Sequence, residues 1–229
     1  AKMVNREYHN ALKKSKGLVI ASPCPGIVTT IKNSFPNLAK NVVKIDSPMV
    51  AMAKICKKHF PNHKTVFLSP CDFKKVESEG SKYVDYVIDY DQLKALFLKK
   101  KVGRFFLGKD KFDSFYNDYT KIYPISGGLT KSANLKNIIS KDKVFVCDGV
   151  KNVCKFLDKP NKSIRFLDVT YCKGGCIGGP CITSKAPLLI RKMRVKGYLK
   201  QAKKEDIPES KKGVIAKAKN IKFNDNSLI

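Results

Sequence analysis

The hydrophobic pattern of the chain alternates between short apolar runs and longer segments with helical spacing. Apolar, β-branched runs at 18–22, 65–69 and 83–90 predict buried strands, and a segment with helical periodicity follows each of them. The pattern returns further along, where 143–149 and 164–171 predict strands with a helix between them. Strands that alternate with helices are typical of parallel sheets covered by helices. We therefore predict an α/β fold.

Capping and breaking residues mark the expected helix ends. A helix is predicted over 3–16, ended by Gly17, and Ser47 followed by Pro48 predicts the start of another, with Ser47 as its N-cap. A third helix is predicted over 188–203, and the chain beyond it is expected to be a frayed tail.

The alternation of predicted strands and helices becomes irregular after the first hundred residues and returns near residue 143. The interruption predicts two lobes. We expect a first α/β lobe at 1–105, a second α/β lobe at 106–185 and a basic helical C-terminal extension at 186–229. A chain of 229 residues is long enough to give such lobes a substantial core.

The charge balance is strongly basic, with 46 Lys and Arg against 19 Asp and Glu and a net charge of +27. Only five of the basic residues are arginine, and the lysines are spread along the whole chain. Lysine attracts polyanions but lacks the planar fork that pairs with phosphate and guanine. We interpret the charge as a solvated basic surface, with nucleic acid or another anionic partner as the alternative.

No segment predicts secretion or insertion into a membrane. A signal peptide is not visible, and no apolar run approaches the roughly 18 residues of a membrane helix. The chain begins at Ala1 without a methionine, so we expect a fragment or a processed chain. These features predict a cytoplasmic protein that does not contact the membrane.

The eight cysteines divide into two groups by their surroundings. Cys56, Cys147 and Cys154 lie within apolar helical or strand patterns, and we expect them to be small buried side chains without a shared partner. A disulfide framework is not expected in a lysine-rich chain of this size without a leader. The remaining five lie in loops rich in glycine or proline, namely Cys24, Cys71, Cys172, Cys176 and Cys181.

The loop cysteines follow predicted strands. Cys24 and Cys71 each follow a proline beyond a strand, where ligand sites of open α/β sheets gather, so the two are placed to converge. The strand at 164–171 runs directly into Cys172. A lysine and two glycines separate Cys172 from Cys176, which gives a CxxxC spacing.

A glycine-rich CxxxC turn suits an iron–sulfur cluster, because the backbone must wrap closely and donate N–H bonds to sulfide. A structural zinc site could use the same residues, although zinc more often uses CxxC pairs and histidine. The three histidines lie outside these loops. A reduced pair of thiols is the simplest alternative, and Cys181 is left as a spare thiol.

Three segments resemble, in order, the cysteine loops of the C-terminal domain of the FeFe-hydrogenase large subunit. They are SPCPGIV at 22–28, SPCDFKKVE at 69–77 and YCKGGCIGGP at 171–180. The resemblance covers roughly residues 7–182. Within the family, the sequence is most similar to divergent, sensory-like members. The resemblance implies two lobes with an iron–sulfur cluster in the cleft between them.

The resemblance also implies which residues bind the cofactor. Cys176 falls where a thiolate bridges to the two-iron subsite of the H-cluster, Lys74 where a lysine contacts ligands of that subsite, and Glu77 where an acid supports the loop. A fixed ammonium is favourable near anionic ligands, and a solvated lysine is the alternative for Lys74. The 4Fe-4S part of the cluster would be bound by Cys24, Cys71, Cys172 and Cys176.

Departures from the family pattern bear on catalysis. The first loop usually carries a proton-donating cysteine where this chain has Pro23, and methionines of the other two loops are replaced by Ser69 and Thr170. Poor proton delivery lowers turnover by orders of magnitude. The resemblance therefore implies electron transfer or sensing of redox state or hydrogen, by a degenerate hydrogenase with slow or no turnover, and we assign no catalytic residue.

Two other functions remain as alternatives. A slow FeFe-hydrogenase that keeps the two-iron subsite is favoured by Lys74 and Cys176, and a basic module that binds nucleic acid would use the lysines. The expected partner is a ferredoxin or an upstream ferredoxin-like domain, whose acidic surface would complement the charge. A signalling partner is also expected, and nucleic acid is the weaker candidate.

Overall fold

The computed structural model describes residues 1–102, 119–204, 215–226 and 228–229. The predicted boundary between residues 105 and 106 lies outside these ranges. The helices are α1 (Lys2–Lys14), α2 (Pro25–Ser34), α3 (Pro36–Ala39), α4 (Pro48–His59), α5 (Phe73–Glu79), α6 (Tyr90–Lys99), α7 (Gly128–Ala133), α8 (Val150–Asp158) and α9 (Leu188–Lys204). The strands are β1 (Val19–Ile20), β2 (Val66–Ser69), β3 (Tyr86–Asp89), β4 (Val144–Asp148) and β5 (Phe166–Thr170).

The strands form two parallel sheets. One has the order β1-β5-β4, and the other contains β2 and β3. In the larger sheet both Val19 and Val144 lie opposite Phe166, and in the smaller sheet Val66 lies opposite Tyr86. Helices lie between successive strands along the chain. The predicted α/β fold with parallel, helix-covered sheets is confirmed.

The central strand of the larger sheet is β5, which pairs with β1 from the beginning of the chain. This pairing joins a strand of the predicted first lobe to a strand of the predicted second lobe. The residue ranges of the two lobes stay a prediction. β1 is shorter than the predicted 18–22 because the chain leaves the ladder at Ser22. The backbone N–H of Ser22 donates to the hydroxyl of Tyr8 at 2.9 Å.

The two faces of the larger sheet carry separate apolar clusters, because alternate residues of β5 point to opposite sides. Phe166 lies in the cluster with Tyr8 of α1, and the two rings are 5.9 Å apart at 70°. Leu167 lies in the other cluster, with Ile27 of α2 and Val153 of α8. The core therefore holds α1 on one face and α2 and α8 on the other.

The prediction of a frayed tail is wrong for the described residues 215–226. Phe223 is only 1% exposed and packs in the same cluster as Tyr8. Its carbonyl accepts the N–H of Asp46 at 2.9 Å, and the Asn226 amide donates to the carbonyl of Ile45 at 3.0 Å. The apolar residues of this segment are separated by lysines and asparagines and show no clear helical or strand periodicity. The segment completes the core next to α4.

Two smaller expectations concern helix ends, and the first of them is corrected. α1 ends at Lys14, before Gly17, and its C-cap residue is Ser15. Ser47 is the N-cap residue of α4, as predicted, but its side chain makes no capping hydrogen bond. Among the described residues, no helix has both the length and the apolarity that crossing a bilayer requires.

Candidate metal centre

Three cysteine-bearing loops leave the carboxyl ends of parallel strands. Cys24 follows β1, Cys71 follows β2 and Cys172 follows β5. Because β1 and β5 pair in parallel, their loops leave the sheet at the same edge. The loop of the smaller sheet meets them through Phe73, whose ring lies 4.9 Å from that of Tyr171.

Gly26, in the first turn of α2, allows this close approach. A Cβ atom placed there would lie 2.8 Å from the ring of Phe73 and 3.1 Å from the ring of Tyr171. These rings belong to the second and third loops, so the absence of a side chain at Gly26 brings all three loops together.

We expect Gly26→Leu to push the loops apart. The larger side chain should lower the free energy of unfolding by about 1–3 kcal/mol, as overpacking of a filled site does, and should reduce iron uptake on anaerobic reconstitution. Gly17→Leu is the matched control, because a Cβ at Gly17 would meet no atom within 4 Å. Equal effects of the two substitutions on iron content would show that packing at Gly26 does not hold the loops.

The third loop is built on close backbone contacts. Gly175 has φ +87, and a Cβ there would lie 2.7 Å from the carbonyl oxygen of Pro124. A Cβ at Gly179 would lie 2.4 Å from the carbonyl oxygen of Pro70, which also accepts the N–H of Cys181 at 3.1 Å. Glycine therefore lets this loop lie directly on the second cysteine loop and on the segment around Pro124.

Backbone N–H groups lie close to two of the sulfur atoms, those of Cys24 and Cys71. Cys24 is the N-cap residue of α2, and its Sγ accepts the N–H of Tyr171 at 3.5 Å. Cys71 lies just before α5. Burial raises the pKa of Cys71, and the ammonium of Lys74 and the backbone N–H groups of Lys74 and Phe73 oppose that rise. Donors at the start of a helix stabilise negative charge on sulfur.

The four predicted ligands are electrostatic neighbours. Burial raises the pKa of Cys176 to about 12, the charges of Cys24, Cys71 and Cys172 add to the rise, and the ammonium of Lys74 opposes it. Burial also raises the pKa of Cys172 to about 11, and the neighbouring cysteines again add to the rise. All four are half-buried. The structure thus brings these thiols together, and their role as ligands stays a prediction.

A single zinc ion and a cubane cluster require different separations between the ligand sulfurs. Zn–S bonds of about 2.3 Å in a tetrahedron place sulfurs about 3.8 Å apart, whereas a cubane separates them by roughly 6–7 Å. Within the described ranges, the one set of three ligand atoms within 4.8 Å of one another is Asp72, Asp89 and Cys181. Among the described residues, no three of the four loop sulfurs therefore lie within 4.8 Å of one another.

Cys181 has a different environment from the four. Its Sγ lies 3.8 Å from Oδ2 of Asp72. The ammonium of Lys75 already pairs with Asp72 at 2.9 Å and with Asp89 at 3.5 Å, so a cation is present beside these carboxylates. Cys181 is best described as a thiol at the edge of the second loop.

Lys74 and Glu77 are buried, with 7% and 1% exposure. The Nζ atom of Lys74 lies 2.5 Å from Oε2 of Glu77 and donates to the carbonyl of Pro23 at 3.3 Å. This contact joins the second loop to the first and excludes the alternative of a solvated lysine. The Oε1 atom of Glu77 has no hydrogen-bond partner in the described part of the chain, so an acceptor is left over beside the loops.

The other cysteines lie away from this group. Cys56, Cys147 and Cys154 are half-buried, so the expectation of full burial is wrong. Cys147 packs against the apolar cluster of Ile20, and none of the three is among the charges that shift the pKa of Cys176.

Comparison with known proteins identifies the family. The model of the iron-only hydrogenase large subunit, C-terminal domain, matches residues 2–180, and the chain belongs to this family. Iron hydrogenase 1 of Clostridium pasteurianum is 24% identical over 70% of this chain, which spans 37% of that relative. The predicted resemblance is confirmed.

Solved structures show the same fold. A variant FeFe-hydrogenase of Chlamydomonas reinhardtii is 13% identical with a TM-score of 0.61, covering 98% of this chain and 73% of that one. A FeFe-hydrogenase solved to reveal stepwise H-cluster assembly is 14% identical with a TM-score of 0.60, covering 92% and 71%. Membership in this family supports the prediction that the chain is a metal-binding, iron–sulfur protein.

Proposed function

We propose that the chain holds a 4Fe-4S cluster through Cys24, Cys71, Cys172 and Cys176 and uses it to transfer electrons or to sense redox state or hydrogen. The observation that carries the proposal is the convergence of three strand-end loops on four half-buried thiols. The bound cluster would supply one-electron redox chemistry. Two findings support this proposal: the chain belongs to the iron-only hydrogenase family, and a solved FeFe-hydrogenase with the same fold reveals stepwise assembly of an H-cluster.

The residues around the thiols suit a cluster. The N–H of Tyr171 donates to the Cys24 sulfur, and the N–H groups at the start of α5 lower the pKa of Cys71. N–H donors to sulfur raise a cluster's reduction potential. Protonated thiols with a raised pKa must lose their protons when metal binds, so cluster uptake is coupled to proton release.

A slow FeFe-hydrogenase with a two-iron subsite is the second candidate. The closeness of Lys74 to Cys176 favours it. Pro23 disfavours it, because proline has no transferable proton. The two hydroxyls that replace methionines also serve the turns: Ser69 Oγ donates to the carbonyl of Cys71 at 2.7 Å, and Thr170 Oγ1 contacts that of Cys172 at 3.4 Å.

Infrared spectra separate these two functions. The intact chain would be reconstituted with its cluster and then incubated anaerobically with hydrogenase maturation proteins. We expect no bands of iron-bound CO or cyanide, together with an electron paramagnetic resonance signal of a reduced cluster. Strong CO and cyanide bands would support the slow hydrogenase instead.

We expect Pro23→Cys to leave hydrogen evolution far below that of a complete enzyme, even with a synthetic two-iron cofactor. The substitution restores a thiol next to Cys24, but Val43, near the family's relay serine, offers no hydroxyl to pass a proton on. Hydrogen production by gas chromatography measures the result. Turnover of the single variant at ordinary enzyme rates, about 1–1,000 per second, would contradict a non-catalytic role.

The partner we propose is a ferredoxin or an upstream ferredoxin-like domain in the cytoplasm, with a signalling partner downstream. The net charge of +27 suits an acidic electron donor. Reduction by a small acidic ferredoxin should therefore slow as salt rises.

A further inference from the structure

Arg191, near the start of α9, directs its guanidinium onto one stretch of backbone. Nη1 donates to the carbonyl of Ile177 at 3.0 Å, Nε donates to that of Ala186 at 2.8 Å, and Nη2 donates to that of Ser184. All three acceptors lie between Cys176 and α9. A planar fork can satisfy several carbonyls at once, which an ammonium on a flexible stem cannot do in the same geometry.

The same turn of α9 contacts the loop on the other side of Cys176. Gly174 has φ +83, and a Cβ atom there would lie 2.6 Å from Cδ2 of Leu188. Leu188 and Arg191 therefore touch residues before and after Cys176, which begins a short 3-10 helix (Cys176–Gly178). The first turn of α9 fixes the backbone on both sides of this cysteine.

The guanidinium of Arg191 is held by neutral acceptors. Of the ion pairs among the described residues, none includes Arg191, and the hydrogen bonds of its guanidinium go to carbonyl oxygens. A cluster held by four thiolates carries negative charge that grows on reduction. A cation bonded to the backbone of Ile177, the residue after Cys176, favours the reduced form and raises the potential.

We infer that Arg191 is a positioning residue for the cluster. It holds the backbone that directly follows Cys176 so that the Cys176 sulfur stays in place, and its positive charge raises the reduction potential. This inference rests on the proposed function, since positioning matters only where a cluster is held.

Three variants of the reconstituted chain test the inference: Arg191→Met, Arg191→Lys and the control Arg194→Met. Arg194 lies on the same helix, is exposed and carries the same charge. We expect Arg191→Met to release iron to a chelator about tenfold faster, as loss of a supporting bond does, and to shift the midpoint potential downward. Arg191→Lys should keep the potential near that of the wild type while releasing iron faster. Arg194→Met should match the wild type.

Wild-type release rate and potential in Arg191→Met would overturn the inference. Equal shifts in Arg191→Met and Arg194→Met would also overturn it, because net charge rather than position would then be responsible. Urea unfolding of the metal-free variants distinguishes positioning of the cluster from a purely structural role. If Arg191→Met lowered the free energy of unfolding and left the midpoint potential unchanged, the role would be structural and the inference would be wrong. A wild-type chain that takes up no cluster would contradict the proposed function itself.

Discussion

Cys176→Ala is expected to leave a chain that retains less than about a tenth of the wild-type iron after anaerobic reconstitution. The substitution removes one of four thiolates and exposes an iron site to solvent. The metal-free variant should unfold at a urea concentration close to that of the wild type. Burial raises the pKa of Cys176 to about 12, so at neutral pH the metal-free protein holds a neutral thiol there that supports no ion pair.

Cys154→Ala is the matched control for this experiment. Cys154 is also half-buried and free, but it lies on α8. We expect this variant to keep its iron. Retention of iron by Cys176→Ala, or its loss from Cys154→Ala, would contradict the proposed ligand set.

Lys54→Met is expected to lower the free energy of unfolding by about 3–5 kcal/mol, the cost of breaking a buried ion pair from one side. Lys54 is 5% exposed, and its Nζ lies 2.7 Å from Oδ2 of Asp46, which is 1% exposed. The ammonium also pairs with Asp225 and donates to the carbonyl of Lys222 at 3.1 Å. The variant would leave Asp46 buried without its partner and would loosen the C-terminal segment from α4.

Lys57→Met provides the comparison on the same helix. Lys57 pairs with Asp85 at 2.7 Å, but its side chain is 23% exposed. Solvent screening limits such pairs to about 1 kcal/mol or less. The double variant Lys54→Met with Asp46→Asn should recover part of the lost stability in urea titrations. Equal costs for Lys54→Met and Lys57→Met would show that the buried pair does not anchor the segment.

Local pattern was sufficient to predict much of the fold. Pro48 marked the start of α4, the apolar runs marked β2 and β5, and proline-cysteine dipeptides marked two loops. These signals depend on neighbouring residues, whose backbone preferences and periodicity act over a few positions. The cysteine loops could be found for the same reason, because glycine and proline shape each of them locally.

Contacts between distant parts of the chain could not be predicted. β1 (Val19–Ile20) pairs with β5 (Phe166–Thr170) although the two lie far apart along the chain, and the two residues of β1 are too few to specify a partner. Phe223 and Ala218 enter the core from a lysine-rich segment, and the hydrogen bonds of Arg191 go to backbone carbonyls, which every residue has. Such contacts arise from the packed geometry, and no pattern of residue types encodes them.

Iron and acid-labile sulfide analysis, with Mössbauer spectra of the anaerobically reconstituted chain, tests cluster binding most directly. We expect about four irons and about four sulfides per chain, with spectra of a cubane cluster. A chain that binds one zinc or one iron without sulfide, or that binds no metal, would contradict the assignment of these four cysteines to a 4Fe-4S cluster.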